Sequence, residues 1–211
     1  MLATRIPKTT ISRLSIYLRA LTRLQEEGQE TVSSRTLSDL IGFTAAQIRK
    51  DLAYFGQFGV PGRGYYISLL KEAIMQILGI DRDWSVALVG AGHLGRALMA
   101  YKGFKQQHFI ISAVFDKDPE KVGKSYLGHN IYSVRELRRL VKERNIKIGI
   151  VTVPGEEAQN AVDALVEAGV KAILNFAPAG VTVPAPVKLN RVDLSIELES
   201  LSYFLTHNKK R

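Results

Sequence analysis

Apolar side chains recur every three or four residues between positions 10 and 25, which is the spacing of one face of an α-helix. The stripe consists of Ile11, Leu14, Tyr17, Leu18, Leu21 and Leu24. Gly28 follows the last of them and supplies a stop signal for the helix. The pattern therefore predicts a first helix over residues 10–25, with its apolar face turned toward a core.

Two shorter helices are predicted immediately afterwards. The apolar positions of the second are Leu37, Leu40 and Ile41. Ser33 or Ser34 can cap this helix, and Gly42 permits a tight turn at its end. Thr44 and Gln47 have the spacing of a capping box that opens the third helix. A connection this short sets two helices at a steep angle, as in a helix-turn-helix.

The third helix carries apolar residues on one side and polar residues elsewhere. Ile48, Leu52 and Phe55 share the apolar side. Arginine and lysine can bind guanine, glutamine can bind adenine, and the helix N-terminus can bind phosphate, so the polar side suits a DNA major groove. A solvated charged surface is the alternative interpretation.

The glycine-rich segment 56–66 favours the DNA interpretation. Its four glycines and one proline fit a hairpin, the wing of a winged helix. Arg63 lies at the tip and can enter a minor groove, unless the hairpin is an ordinary surface turn. The predicted DNA-binding residues are Arg13, Ser34, Thr44, Gln47, Arg49, Lys50, Tyr54 and Arg63.

From residue 84 onward, short apolar runs alternate with helical or loop segments. The runs cover 86–89, 110–115, 148–153 and 172–176, and a helix over 68–78 and a linker over 79–83 precede them. This alternation is typical of parallel strands joined by crossover helices. We therefore predict an α/β protein, with an N-terminal winged helix-turn-helix domain over 1–83 and a Rossmann-type doubly wound parallel sheet over 84–211.

A glycine-rich loop follows the first of these strands and precedes the helical run 96–102. It consists of Gly90, Ala91, Gly92, His93, Leu94 and Gly95. In such a loop the first glycine allows the tight turn, the second lets a pyrophosphate approach the backbone, and the third lets the helix pack against the strand. All six residues are predicted to bind a dinucleotide.

Asp116 ends the next strand, where a carboxylate accepts hydrogen bonds from ribose hydroxyls and repels a 2′-phosphate. The predicted cofactor is therefore NAD(H) rather than NADP(H). Lys117 either softens that repulsion or simply begins a turn. Val153, Pro154, Asn175 and Phe176 end two later strands at the same sheet edge. They either frame the cofactor or only mark the ends of the strands.

Catalytic chemistry is not indicated. His93 is the histidine nearest the predicted cofactor, and it lies in the phosphate loop rather than at the nicotinamide. The sequence shows no metal-ligand cluster and no Ser/His/Asp arrangement, so we expect neither catalytic residues nor a metal. The rival hypotheses are a small NAD-dependent oxidoreductase with a helical appendage, a coenzyme A binder and a constitutive architectural DNA protein.

The composition of the chain indicates what kind of partner it binds and in which compartment it works. The net charge of +9 favours an anionic partner such as nucleic acid. Because the 211 residues include no cysteine, thiol chemistry is excluded and redox sensing requires a bound small molecule. No apolar run has membrane-spanning length, and residues 1–7 lack the apolar core of a signal peptide. We therefore expect a cytoplasmic protein without a membrane partner.

Several segments resemble the Rex family of redox-sensing transcriptional repressors, and together they cover nearly the whole chain. They are 49–56, 101–104, 115–119, 174–178 and 192–194, in addition to the glycine loop. The resemblance implies a homodimer in which each winged helix binds half of a palindromic operator. It also implies that NADH favours a closed arrangement that releases DNA, whereas NAD⁺ competes without releasing it. Relatives often carry basic residues before the first glycine of the wing tip, where this chain has Val60 and Pro61.

The same resemblance assigns roles near the C-terminus. It implies that a helix over 196–205 is exchanged between subunits, although from its residues alone this helix could equally cover its own sheet. Arg19, Tyr101 and Asp193 match positions that couple the first helix, the nicotinamide pocket and the partner subunit. We expect Asp193 to be a buried carboxylate that either changes partners or stays in a static ion pair. An apolar pocket lined by Tyr101 and Leu194 should prefer the neutral, reduced nicotinamide.

Overall fold

The computed structural model describes residues 6–207. The chain divides into two compact units, Met1–Arg82 and Asp83–Arg211. Most of the segment 1–7, on which the expectation about a signal peptide rests, lies outside the described residues. Each unit is described by itself below.

The first unit is a small helical domain with a three-stranded antiparallel sheet. Its helices are α1 (Lys8–Glu26), α2 (Ser34–Ile41), α3 (Ala45–Ala53) and α4 (Ile67–Leu78). Its strands are β1 (Thr31–Val32), β2 (Gly59–Val60) and β3 (Gly64–Tyr66), in the order β1-β3-β2. The hairpin of β2 and β3 is the predicted wing, and α2 with α3 is the predicted helix-turn-helix.

The caps of α2 and α3 explain why these helices begin where they do. The Ser33 hydroxyl accepts a hydrogen bond from the Thr36 amide at 3.0 Å, and the Thr44 hydroxyl accepts one from the Gln47 amide at 3.1 Å. Gly42 ends α2 with a φ of +75°, a conformation that favours glycine. The capping box is only half formed, because the Gln47 side chain bonds to Asp51 instead.

The core of the first unit differs from the predicted stripes at two positions. Leu14, Tyr17, Leu21, Leu37 and Ile48 are fully buried. Ile11 and Leu40, by contrast, are exposed. In the first turn of α1 the buried residue is Thr10 rather than Ile11. Thr10 faces inward because its hydroxyl donates to the buried carboxylate of Asp51.

The second unit is built on a seven-stranded sheet. The strands are β4 (Trp84–Val89), β5 (Phe109–Asp116), β6 (Ser125–Tyr126), β7 (His129–Ser133), β8 (Ile148–Val151), β9 (Ala172–Asn175) and β10 (Lys188–Arg191). The helices are α5 (His93–Ala100), α6 (Gly103–Gln106), α7 (Leu137–Glu143), α8 (Ala158–Glu167) and α9 (Leu194–His207). The spatial order is β10-β9-β8-β4-β5-β7-β6, and all neighbours are parallel except β6 and β7.

This order makes the unit a doubly wound Rossmann-type sheet. From β4 the chain builds outward through β5 and β7, and then it returns to the other side of β4 for β8, β9 and β10. The reversal places a topological switch point between β4 and β8, where ligands of such sheets bind. Alternate residues of β4 face opposite cores. Val89 joins the cluster under α7 and α8, and Leu88 joins the cluster under α5.

Helix α9 is apolar but uncovered. Every one of its residues is exposed, including the seven large apolar side chains Leu194, Ile196, Leu198, Leu201, Tyr203, Phe204 and Leu205. The alternative in which this helix covers its own sheet is therefore wrong for the chain by itself. Within residues 6–207, no helix is both long enough and apolar enough to cross a bilayer.

Candidate nucleotide cleft and DNA-reading surface

The glycine loop joins β4 to α5 at the switch point. Gly90 has a φ of +104°, and a Cβ atom there would lie 2.9 Å from the Thr152 backbone. A Cβ atom on Gly95 would collide with the carbonyl oxygen of Gly90. Gly92 is different, since no described atom outside residues 91–93 lies within 4 Å of the position its Cβ would take. The loop is therefore closed against the protein at Gly90 and Gly95 and open to a ligand at Gly92.

The end of the loop has the chemistry of an anion site. Gly92 is the N-cap of α5, and no described side chain caps the helix there. His93 and Leu94 are the first residues of α5, and both are exposed. Unpaired amides at a helix N-terminus bind phosphate groups, which is the role predicted for this loop.

Asp116 ends β5 beside the loop. One oxygen of its buried carboxylate accepts the Ala91 amide at 2.7 Å, and the other accepts the Asp118 amide at 2.9 Å. Lys121 Nζ lies 3.3 Å away. Burial alone would raise the pKa of Asp116, but the hydrogen bonds from Asp118, Ala91 and Lys121 outweigh it and lower the pKa. The carboxylate is therefore charged at neutral pH and can accept hydrogen bonds from a ribose.

A cleft of about 680 Å³ opens at the carboxyl ends of β4, β5 and β8. Its lining includes Gly90, Gly92, Asp116, Lys117, Val153, Pro154 and Glu157. Lys117 Nζ bonds to Glu157 Oε1 at 2.6 Å, which raises the pKa of the lysine. This ion pair links two loops that line the cleft, and neither role predicted for Lys117 anticipated it.

Asn175 and Phe176 are placed differently from Val153 and Pro154. The Asn175 side chain is buried; its Nδ2 donates to the Ala177 carbonyl at 3.2 Å, and its Oδ1 accepts a hydrogen bond from the Ala177 amide at 3.0 Å. Phe176 packs against the sheet cluster that contains Val86 and Leu88. The Asn175 side chain thus holds its own turn, and a contact from either residue to a cofactor stays a prediction.

The predicted switch residues are at the surface of their units. Tyr101 is 57% exposed and packs edge-on against Phe104, and Leu194 is 64% exposed. The expectation of a buried Asp193 is wrong for the single chain, since this residue is exposed. Its carboxylate accepts bonds from the Ser195 hydroxyl at 2.6 Å and the Ser195 amide at 2.9 Å, which lower its pKa. Arg19 is exposed on α1.

The surface predicted to bind DNA in the first unit is built around α3. Ile48 and Leu52 are buried, whereas Arg49, Lys50 and Tyr54 are exposed. Arg49 donates to the Ser34 hydroxyl at 2.8 Å, which links α3 to α2. These three exposed side chains remain the candidates for contact with bases.

The wing presents Arg63 at its turn, where the Arg63 amide bonds to the Val60 carbonyl at 3.0 Å. The Arg63 guanidinium donates to the Tyr66 hydroxyl at 2.9 Å and is exposed. An arginine therefore lies at the tip of the wing, as the sequence predicts.

Two further residues predicted to bind DNA, Ser34 and Thr44, lie at the N-termini of α2 and α3.

Two other predicted DNA contacts are turned inward. Two nitrogens of the Arg13 guanidinium donate hydrogen bonds to the Asp51 carboxylate, at 2.6 Å and 2.7 Å. The Arg13 side chain is only 19% exposed. Gln47 donates to the same carboxylate at 2.9 Å.

The role of Asp51 in binding these side chains was not predicted from the sequence. Its position between Ile48 and Leu52 indicates it, because that spacing places an acidic side chain on the buried face of α3.

Comparison with known proteins identifies the family. Residues 5–53 match the family model described as putative DNA-binding protein N-terminus, and residues 81–179 match the model described as CoA binding domain. A repressor named Rex from Desulforamulus reducens is 46% identical over 210 residues, covering 100% of both chains. Another from Syntrophomonas wolfei is 48% identical and covers 98% of both. The chain belongs to the Rex family of redox-sensing transcriptional repressors.

Crystal structures of RSP, a Rex-family repressor, agree with this assignment. The crystal structure of RSP in complex with β-NAD⁺ and operator DNA has a TM-score of 0.92 and 37% identity, covering 98% of this chain and 95% of that one. RSP in complex with β-NADH gives a TM-score of 0.87 and 35% identity. The predicted fold is confirmed. The expectation of a regulator rather than an enzyme is confirmed as well, because the relatives are named repressors.

Proposed function

We propose that this chain is a redox-sensing repressor that binds palindromic operator DNA as a homodimer and is released when NADH binds. One observation carries the proposal: a single chain combines an exposed basic α3 in a winged helix with a glycine loop that is open at Gly92. RSP, which shares this fold, was crystallised with β-NAD⁺ and operator DNA. We assign DNA binding to residues 1–83 and nucleotide binding to residues 84–211.

Asp116 selects the nucleotide in this proposal. Its charge repels a phosphate on the adenosine ribose, so NADP(H) and coenzyme A, which carry one at the 2′ or 3′ position, bind poorly. An unmodified ribose instead offers two hydroxyl donors to the carboxylate. The match to a CoA binding domain model is thus attributed to the shared sheet and loop.

In this proposal the pocket around the nicotinamide ring distinguishes NADH from NAD⁺. The oxidised ring carries a positive charge and the reduced ring is neutral, so an apolar pocket favours NADH. Tyr101 and Leu194 supply the apolar surface, but both are largely exposed in one chain. The pocket therefore requires a cover, and we assign that role to the partner subunit.

The homodimer is supported by α9. Its side chains at Leu194, Leu198, Leu201 and Leu205 form a continuous apolar stripe that its own chain leaves uncovered. A contiguous exposed apolar surface marks a protein interface. We propose that α9 is exchanged between subunits and that Arg19, Tyr101 and Asp193 couple nucleotide binding to the spacing of the two winged helices. This function places the protein in the cytoplasm, where it meets DNA and NAD(H).

The test is a titration of a fluorescent duplex selected by the purified protein from a randomised library. Anisotropy is followed with NADH, NAD⁺, NADPH or coenzyme A added. We expect two chains per duplex, release by NADH, and no release by the other three at equal concentration. Release by coenzyme A or NADPH at NADH-like concentrations contradicts the nucleotide assignment, and a duplex that no nucleotide displaces contradicts the proposal as a whole.

A further inference from the structure

Asp51 is fully buried on α3, the helix that presents the DNA-reading side chains. Its carboxylate accepts hydrogen bonds from four side chains. Three belong to α1 and one to α3: Thr10 at 3.2 Å, Arg13 at 2.6 and 2.7 Å, Tyr17 at 2.7 Å and Gln47 at 2.9 Å. Among the described residues, no buried side-chain nitrogen or oxygen is left without a partner. The site is thus closed and fully paired.

Aromatic contacts extend this network to the turn of the helix-turn-helix. Phe43 lies in that turn, between α2 and α3. Its ring meets the Tyr17 ring edge-on, with centroids 6.1 Å apart, and the Arg13 guanidinium lies 5.9 Å from its centroid. One carboxylate and its partners therefore join α1, the turn and α3. We call this set, Thr10, Arg13, Tyr17, Phe43, Gln47 and Asp51, the Asp51 network.

The network fixes the rotation of α3 about its own axis. Arg13 binds Asp51 through two parallel N–H bonds, a planar arrangement that tolerates little rotation. With side chains a helix is roughly 10–12 Å wide, so turning it by about 20° would move an exposed side chain by about 2 Å. A hydrogen bond to a base edge does not survive that displacement. Lys50, the neighbour of Asp51, lies on the exposed surface that such a turn would move.

We propose that Asp51 is the positioning residue of the DNA-reading helix, and that Arg13 and Gln47 hold it rather than contact DNA. This inference rests on the proposed function. It reassigns two residues that the sequence placed on the DNA surface. It also separates two ways of losing DNA binding: loss of phosphate contacts, which weakens all sequences, and loss of helix orientation, which weakens the operator alone.

The experiment compares Asp51→Asn, Tyr17→Phe and Arg13→Gln with the parent and with Asp39→Asn. Asp39 is an exposed acid on α2, so its variant controls for the removed negative charge. Each protein is titrated against the selected duplex and a scrambled duplex over a range of salt concentrations. Binding of NADH to the second unit and far-UV circular dichroism are recorded for each variant. Tyr17→Phe removes one hydroxyl and keeps the ring, so it serves as the mildest change.

We expect Asp51→Asn and Arg13→Gln to weaken selected-duplex binding roughly tenfold or more, because base contacts lose their register. Tyr17→Phe should give a smaller loss in the same direction. Scrambled-duplex affinity should stay within about twofold, and the salt dependence should stay parallel to that of the parent, since no phosphate contact is removed. Asp39→Asn should retain the preference of the parent for the selected duplex.

Two results overturn the inference. If Arg13→Gln weakens both duplexes equally and lowers the salt slope by about one, Arg13 contacts a phosphate. If Tyr17→Phe and Asp51→Asn keep the preference of the parent for the selected duplex, the network does not position α3. A parent that binds both duplexes equally overturns the proposed function itself, so the two failures are distinguishable.

Discussion

Within residues 6–207, each unit of this chain holds one buried aspartate, and the two carboxylates have different partners. Asp51 in the first unit is bound by four side chains, three of them on another helix. Asp116 in the second unit is bound by the amides of Ala91 and Asp118 and by Lys121, and it borders the cleft. In both cases hydrogen bonds outweigh burial and lower the pKa.

The difference shows how the same functional group serves two purposes. A carboxylate paired with side chains from a distant helix ties elements together, and removing it leaves those partners unpaired. A carboxylate held by backbone amides of its own loop and of the glycine loop, at the edge of a cleft, keeps a negative charge within reach of a ligand. We therefore expect Asp51 to matter for stability and helix position, and Asp116 to matter for nucleotide binding.

The largest effect is expected for Asp51→Ala. Arg13 and Tyr17 would lose their partner, and breaking a buried pair in this way costs about 3–5 kcal/mol of unfolding free energy. Urea unfolding followed by circular dichroism should show the loss of stability in the first unit. The single tryptophan, Trp84, lies in β4, so its fluorescence reports the second unit and should keep its midpoint. Asp39→Ala is the control, and an equal shift in both variants would contradict the contrast.

Acid should weaken the first unit through the same residue. Burial opposes the charge of Asp51, but Arg13, Tyr17 and Gln47 lower its pKa from the ordinary 3.8 to about 2. A lowered pKa in the folded state means stability that is present above pH 3.8 and is lost as the pH falls toward 2. The shift corresponds to about 2 kcal/mol. Asp51→Asn should lack this part of the acid dependence, and an unchanged profile would show that Asp51 does not supply it.

Asp116→Ala should act on the nucleotide instead. Loss of a charged hydrogen-bond acceptor costs about 1.5–3 kcal/mol of binding free energy, so roughly ten to a hundred times more NADH should be needed for release. Operator affinity without nucleotide should not change, and NADPH should compete better than in the parent. Asp163→Ala, an exposed acid on α8, is the control. A variant that responds to NADH like the parent would show that Asp116 is not at the ribose.

The smallest effect is expected for Lys50→Ala, which removes one side chain from the surface that the Asp51 network positions. Operator binding should weaken by about 1–3 kcal/mol if Lys50 contacts a base. Lys71→Ala removes the same charge from α4, where the lysine bonds to Gln25 of α1 at 2.6 Å, and serves as the control. Equal losses in the two variants would show that only the general charge matters.

The sequence predicts well what local geometry dictates. The glycine loop, the wing and the four central strands follow from residue types that permit few conformations, and Gly90 and Gly95 meet backbone atoms that leave no room for a side chain. The short strands β7 and β10 escaped prediction because their polar residues alternate too weakly. The Arg13–Asp51 pair escaped because its members are 38 positions apart in the chain. The position of α9 was left open by its own residues, because an apolar stripe suits its own sheet and a partner subunit equally.

We propose that NADH and operator DNA exclude each other on this protein, and the reciprocity of this exclusion can be measured. The affinity for NADH is measured by calorimetry twice, with the protein alone and with the protein saturated by its selected duplex. Thermodynamic linkage requires that DNA weaken NADH binding by the same factor by which NADH weakens DNA binding. We predict a large and equal factor in both directions, and none for NAD⁺. Equal NADH affinities with and without the duplex would show that NADH and operator DNA bind independently of each other.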